Sequence, residues 1–484
     1  MQRTGQTGSF AVVRKYLRQY TKFCVLRFPG VLADPWNLAS EYTRGVRQSA
    51  WLVLMRTLIL IPILCFFGAF TFGEPSQRAN GRRKTSLPAA TPRSRASRQA
   101  AETDNSAELP FRVQPDDKTT RQGFEKFYNM DYDRAIALFQ QERERFPDDP
   151  FVVNHLLAAV LAKELNREGQ LDATLYMGNK FLDLKAPPVD PEVKKQISEL
   201  SQRSLALANQ QLAKNPNDVG ALFSRAVARG LATVYSAVIE KRWLGAMREG
   251  LGAYHDDQHV LKLDSSYDDA KLVVGTFQYI VGSLNWWEKS LAFVASMRGS
   301  KSKGLTLLRQ AAAGGGEESI DASSILALFL AREKQYNEAI SLLRRDYTNF
   351  PHNFIFGLAV ADLLNASGEQ DEAIDAYRKL LALGRAGFFP DARVERAAYS
   401  LGQVLLRKKS YVAAADAFEE AIHYPRANAG VVAPAALEAG EVYDLLSERE
   451  KAVASYNRAV AIAPPSSDTS RVAARYLKRP YRGN

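Results

Sequence analysis

The chain has 484 residues, enough for roughly three domains, with 46% hydrophobic and 24% charged residues. This ordinary globular usage excludes a chain disordered throughout. A mean hydropathy of −0.25 excludes a polytopic membrane protein, and two cysteines exclude a disulfide scaffold. The net charge of +11 sits at the ends: residues 1–100 hold 16 bases against three acids, 101–470 sum to −7, and the last fourteen residues carry five bases and no acid.

Residues 1–50 form a basic N-terminal segment. The run Trp51 to Gly73, WLVLMRTLILIPILCFFGAFTFG, follows it, broken only by Arg56. Its uncharged part is at the lower edge of a bilayer span, roughly 17–25 residues. Three readings stay open: a transmembrane anchor, a cleaved signal peptide starting at Met55, and a buried core helix. On the second, Thr71 and Gly73 are the small residues before a cut at Glu74, residues 1–54 are an over-called start, and the mature chain has no cysteine. By the positive-inside rule the charges flanking the run nearly balance or slightly favour a cytoplasmic C-terminal side. The signal reading places the C-terminal part outside the cytoplasm, periplasmic or secreted.

Residues 74–117 are rich in Arg, Ser, Pro and Ala without apolar periodicity, which reads as a disordered linker. Its Arg/Lys cluster also fits an adaptor for an anionic membrane surface. About forty flexible residues span on the order of 35 Å.

From 118 onward apolar residues recur every three to four positions, as in helices. The same pattern then repeats. Tyr132-Asp-Arg-Ala135-Ile-Ala-Leu-Phe139 runs on to Pro147, Tyr336-Asn-Glu-Ala339-Ile-Ser-Leu-Leu343 to Pro351, and Tyr411-Val-Ala-Ala414 to Phe418, Ala421 and Pro425. Ala452 with Tyr456 and Ala459 runs on to Pro464, and Gly368-Glu-Gln-Asp-Glu-Ala373 leads to Tyr377. Alanines 339, 373, 414 and 452 are spaced by 34, 41 and 38 residues; the long interval implies an inserted loop at Gly384–Arg393. Upstream, Leu326-Ala327, Leu401-Gly402 and Gly440 with Tyr443 supply a small residue and a bulky partner. The small residue admits the antiparallel helix and the aromatic fills the gap.

These residues resemble the tetratricopeptide repeat (TPR), over about 118–150 and 320–465, and the chain is similar to uncharacterised bacterial membrane-anchored or exported TPR proteins. The resemblance implies an all-α, TPR-type helical solenoid. It would follow the N-terminal hydrophobic helix and the linker, with a degenerate central block inside 118–319, a C-terminal array at 320–465 and a basic tail at 466–484. In the first copy Glu142 stands where the last two carry Ala421 and Ala459. In the central block, Asn215-Pro-Asn-Asp218 before Ala221 reads as a repeat junction with an Asp cap. The stretch from Val273 to Leu308 resembles part of the eukaryotic inclusion-body-clearance family of TPR proteins, a match too short to carry function.

Other constellations are bland or open. His255 and His259 share a helix face at metal-ligand spacing, with Asp256 or Asp264 to complete a site, against the alternative of a solvated face. Trp243, Trp286 and Trp287 read as core or as a binding platform. Gly314-Gly-Gly316-Glu-Glu lacks the lysine of a phosphate cradle and reads as a turn whose glutamates start the next helix. The sequon Asn365-Ala-Ser367 sits at a helix end and reads as chance.

In TPR arrays one face of each first helix lines a groove. By spacing that face holds Arg332, Asp362, Asn365, Arg396, Tyr399, Gln403, Arg407, Glu441 and Asp444. The expectation is a non-catalytic scaffold that binds a protein or peptide partner there, needs no cofactor, reaches a membrane through 51–73 and does not bind nucleic acid. The alternatives are a metal-dependent enzyme built on the central block and the anionic-surface adaptor.

Overall fold

The computed structural model describes residues 109–171, 189–284, 298–389, 392–425 and 427–483. The run 51–73, the first part of the linker, Pro187-Pro188 and Trp286-Trp287 lie outside these residues. The described residues belong to one compact unit, 55–484.

They form helices and connecting turns, with no strand among them. In chain order the helices are α1 (Lys118–Tyr128), α2 (Tyr132–Arg145), α3 (Pro150–Arg167), α4 (Pro191–Lys214), α5 (Val219–Val234), α6 (Trp243–Leu263), α7 (Lys271–Ser283), α8 (Lys301–Ala313) and α9 (Ser319–Arg332). Then come α10 (Tyr336–Asn349), α11 (Phe354–Ser367), α12 (Gln370–Arg385), α13 (Glu395–Arg407), α14 (Tyr411–His423), α15 (Ala429–Leu445), α16 (Arg449–Ile462) and α17 (Asp468–Lys478). Each packs on its sequence neighbours, and odd-numbered helices also touch the next odd one: α3 on α5, α7 on α9, α11 on α13, α13 on α15 and α15 on α17. This is the pairwise stacking of a helical solenoid. The basic residues 466–484 are not a loose tail: α17 caps the stack on α16 and α15.

The repeated small residues act through close approach. Ala135, Ala339, Ala373, Ala414 and Ala452 are all fully buried. A Cβ on Gly123, Gly402 or Gly440 would lie 2.4–2.5 Å from the ring of Phe139, Phe418 or Tyr456 on the paired helix, inside van der Waals contact. The glycine and the aromatic ring are thus two halves of one joint, and Gly123 extends to the first pair the pattern read at 402 and 440.

Helix ends repeat as faithfully. Met130, Lys334, Gly368, Lys409 and Ser447 all have φ between 58 and 94°, each two residues before an even-numbered helix. At each, the following N–H reaches back to the carbonyl five residues earlier, as Gln335 does to Leu330 and Ser410 to Leu405. That bond satisfies a carbonyl the helix end leaves orphaned. Helices α3, α5 and α11 start on Asx caps set two residues after a proline: Asp149 accepts from Phe151 N, Asp218 from Ala221 N, and Asn353 from Ile355 N and Phe356 N.

One helix is long and apolar enough to cross a membrane, Val219–Ile239, comprising α5 and the π-turn that extends it. Two-thirds of it is buried in the body, and it carries Arg225 and Arg229, so it is a core helix of the stack.

Residues 109–117, read from sequence as the end of the linker, are packed. Phe111 and Val113 are buried, and the Phe111 ring meets Tyr128 edge-on at 5.5 Å and Phe350 at 6.5 Å. Arg112 N donates to Gly315 O at 2.9 Å. Two apolar residues make no period, so composition alone hid this docking strand of chain. Tyr128 hydroxyl bonds Asp321 at 2.9 Å, Asn353 Nδ2 bonds Tyr128 O at 2.8 Å, and His352 N bonds Asn129 Oδ1. The first helical pair therefore docks on α9 to α11 across about two hundred residues of sequence, forming a seam that nearest-neighbour stacking does not require.

Candidate functional site

Of the nine groove residues, six stand on one polar strip along α11, α13 and α15, two are structural, and Arg332 lies on α9. Arg332 is exposed at the end of α9. Arg407 Nη2 donates to Asn365 Oδ1 at 2.9 Å, tying α13 to α11. Tyr399 hydroxyl donates to Glu438 Oε1 at 2.5 Å, and Gln403 Nε2 donates to both at 2.9 and 3.1 Å, tying α13 to α15. The Arg396 guanidinium lies 5.5 Å from the Tyr399 ring centroid. Burial pushes the Glu438 carboxyl above its ordinary range, against the hydrogen bonds it accepts. Burial, with Glu438 close by, pushes Glu441 up to about 7. Near neutrality Glu441 is thus partly discharged.

Asp362 is buried and takes the hydroxyl of Tyr377, so it belongs to the joint between α11 and α12. Asp444 accepts from Arg449 at 3.0 Å, Tyr456 hydroxyl at 2.9 Å and Tyr481 N at 2.8 Å. It fastens the C-terminal cap. Glu438, which the spacing argument omitted, is the acid at the centre of the strip. It lies one helical turn before Glu441, a signal the sequence did contain.

A second cluster went unread in the sequence. The Gly314–Gly316 turn is a turn, as expected, with Gly315 at φ +66°. Its neighbours are glycine because a Cβ on Gly314 or Gly316 would strike the side chain of Asp268 or Asp269. The following glutamates do not merely start α9. Glu317 meets His155 Nε2 at 3.2 Å, and His155 Nδ1 meets Glu142 at 3.3 Å. Glu142 also accepts from Thr120 Oγ1 at 2.6 Å, so the glutamate replacing the repeat's alanine is fully buried in a polar network. Burial opposes a charge on His155, but Glu317 and Glu142 outweigh it and push the imidazole up to about 10. Burial and Glu317 push Asp269 up to about 7, and burial pushes Asp321 to about 7. Beside this turn lies a cavity of about 40 Å³ whose lining includes Phe124, Tyr128, Phe151, Phe223, His155, Glu317, Glu318 and Asp321. A larger cleft of about 680 Å³ runs beside Lys126, Arg134, His352 and Phe388, and the acids on it are already ion-paired, Glu125 with Lys126 and Asp131 with Arg134.

His255 and His259 are the pair at metal-ligand spacing. His255 is exposed and His259 half-buried on α6. Asp256, which was to complete the site, is held by Arg225 at 2.6 and 3.0 Å and by Arg229 at 2.6 Å. Asp264 instead accepts from Ser266 in its own turn. Among the described residues no three His, Cys, Asp or Glu side chains converge as a metal site. The side chain of Trp243 and all of Trp286 and Trp287 lie outside what is described.

Residues 433–466 match the tetratricopeptide repeat family. Among curated proteins no match is found. Solved structures that align include the human IFIT1 dimer with m7Gppp-AAAA, at 13% identity over 75% of this chain and 80% of that one, TM-score 0.37. Yeast Tom70 aligns at 12% identity over 75% and 88%, TM-score 0.35. The APC/C hetero-tetramer Cut9-Hcn1 aligns at 14% identity over 75% of each, TM-score 0.33.

Proposed function

We propose, taking the tetratricopeptide repeat at 433–466 as premise, that this protein is a non-catalytic scaffold that binds a peptide or protein partner on the strip formed by α9, α11, α13 and α15. The supporting observation is the cross-helix polar lattice of Asn365, Arg407, Tyr399, Gln403 and Glu438. Side chains held this way lose little entropy when a ligand arrives. With Arg332, Arg396 and Arg407 on the strip and Glu441 partly discharged near neutrality, the strip favours a segment bearing carboxylates, which arginine can hold bidentately.

Peptide selection on the full chain tests this. Enriched peptides should be acidic, and their affinity should fall about tenfold in Arg407→Ala or Arg332→Ala, the loss of one charge-assisted bond. Peptides insensitive to both substitutions would refute the reading. The segment 51–73 is taken as the anchor or cleaved signal that puts the helical body outside the cytoplasm. N-terminal sequencing of the native protein tests this: a start at Glu74 supports a cleaved signal and a start at Met1 an anchor.

A further inference from the structure

The cavity beside the Gly314–Gly316 turn has a composition that repeat packing does not explain. Six aromatic rings, Phe124, Phe127, Tyr128, Phe139, Phe151 and Phe223, line it together with Glu317, Glu318 and Asp321. His155 is the one cationic side chain on its lining, and it is shared between Glu142 and Glu317. Asp321 receives the Tyr128 hydroxyl at 2.9 Å. Behind the lining, Asp269 accepts from Glu318 N at 3.2 Å. Asp257, 1% exposed, lies within electrostatic reach of Asp269 and Glu318. One of its oxygens has no hydrogen-bond partner among the described residues. The guanidinium groups on neighbouring α5, Arg225 and Arg229, bond Asp256.

Two physical demands converge here. Buried carboxylates are costly without a cation or donor beside them. Aromatic faces attract cations, more strongly when water is excluded. The size of the space selects among cations. About 40 Å³ is room for about three water-sized groups, which admits an ammonium head and its first carbons and excludes a whole metabolite. The acid set also lacks the convergent geometry of a metal site among the described residues.

We propose that this cavity binds a primary alkylammonium group. The rings of Phe124, Tyr128, Phe151 and Phe223 enclose its carbons, and Glu318 and Asp321 accept from its nitrogen. Such a group is carried by a lysine side chain of a partner or by a free polyamine. The site is separate from the polar strip and stands or falls independently of it.

The test is calorimetric titration of the full chain with n-butylammonium, beside n-butanol as a neutral group of the same size. The expected result is saturable one-to-one binding of the ammonium, a raised unfolding temperature, and no response to the alcohol. Glu318→Gln should weaken binding about tenfold or more, the loss of a charged acceptor, while Arg407→Ala on the polar strip leaves it unchanged. Hydrogen exchange of wild-type protein should show slowing at 317–321 on addition of butylammonium, a readout that needs no variant to fold. Spermidine and an Nα-acetyl-lysine amide then distinguish the two sources by their relative affinities. Equal responses to butylammonium and butanol, heat from neither, or binding unchanged in a folded Glu318→Gln variant would overturn the proposal.

Discussion

At the scale of single residues, the joints between paired helices depend on missing atoms. Gly402 and Gly440 leave no room for a methyl group against Phe418 and Tyr456. Alanine at either position should lower stability by about 1–3 kcal/mol, the usual penalty of overpacking. Gly230 in α5 has nothing within 4 Å of an added Cβ, so Gly230→Ala should instead gain about 0.5–1 kcal/mol from helix propensity. Urea unfolding of the three variants checks both signs, and similar shifts in all three would refute the packing argument. Lys409, at φ 58°, carries a side chain where the left-handed conformation costs about 1–2 kcal/mol. Lys409→Gly should recover up to about 1 kcal/mol in the same assay, less the entropy glycine loses on folding.

At the scale of elements, what the sequence disclosed and what it hid follow from distance along the chain. Ala135, Ala339 and Ala414, or Gly402 with Phe418, meet within one helical pair, so their spacing repeats and can be counted. The Asx caps after proline are local for the same reason. The network of Glu142, His155 and Glu317 joins residues up to 175 positions apart. Each of its members alone looks like an ordinary helix-face residue, and only the odd glutamate at an alanine position hinted at it. The strip on α13 was legible by helical period. Asp362 and Asp444 share that period but turn toward the paired helix, where Tyr377 and Tyr456 bond them.

The buried charges also give this seam a pH dependence. Asp269 and Asp321 titrate at about 7 in the fold, against about 4 in an unfolded chain. Between these values the folded state holds protons that the unfolded state has released, so stability falls as pH rises through the window. His155, raised to about 10, contributes stability that is full below about 6.5 and is lost as pH climbs toward 10. Both effects have the same sign. Thermal unfolding by circular dichroism should show a higher midpoint at pH 5.5 than at pH 8, and Asp269→Asn should narrow the gap. A higher midpoint at pH 8 would contradict the assignment.

At the scale of the whole molecule, nearest-neighbour stacking alone would let one end fray without the other responding. The seam between the first helical pair and α9 to α11 removes that independence. Phe111→Ala should cost about 3–5 kcal/mol, as deletion of a buried aromatic does. It should also speed hydrogen exchange in α9 to α11, more than two hundred residues away. Loss of protection confined to 109–145 would show that the seam carries no coupling.

The entry of the chain at Phe111 and Arg112 has a mechanical consequence. A pull on the segment preceding residue 109 does not arrive at the free end of a stack and peel it one pair at a time. It arrives where Arg112 bonds Gly315 and Phe111 packs on Phe350, near the middle of the helical sequence. Tension there shears a patch of rings and hydrogen bonds at once, and shear loads every bond together where peeling loads them in turn. A single-molecule trace should therefore open with one high-force rupture that frees α1 and α2, followed by lower steps as the remaining pairs unstack. A protein held by its N-terminal side would thus have a defined breaking point at the junction between its first pair and its C-terminal array.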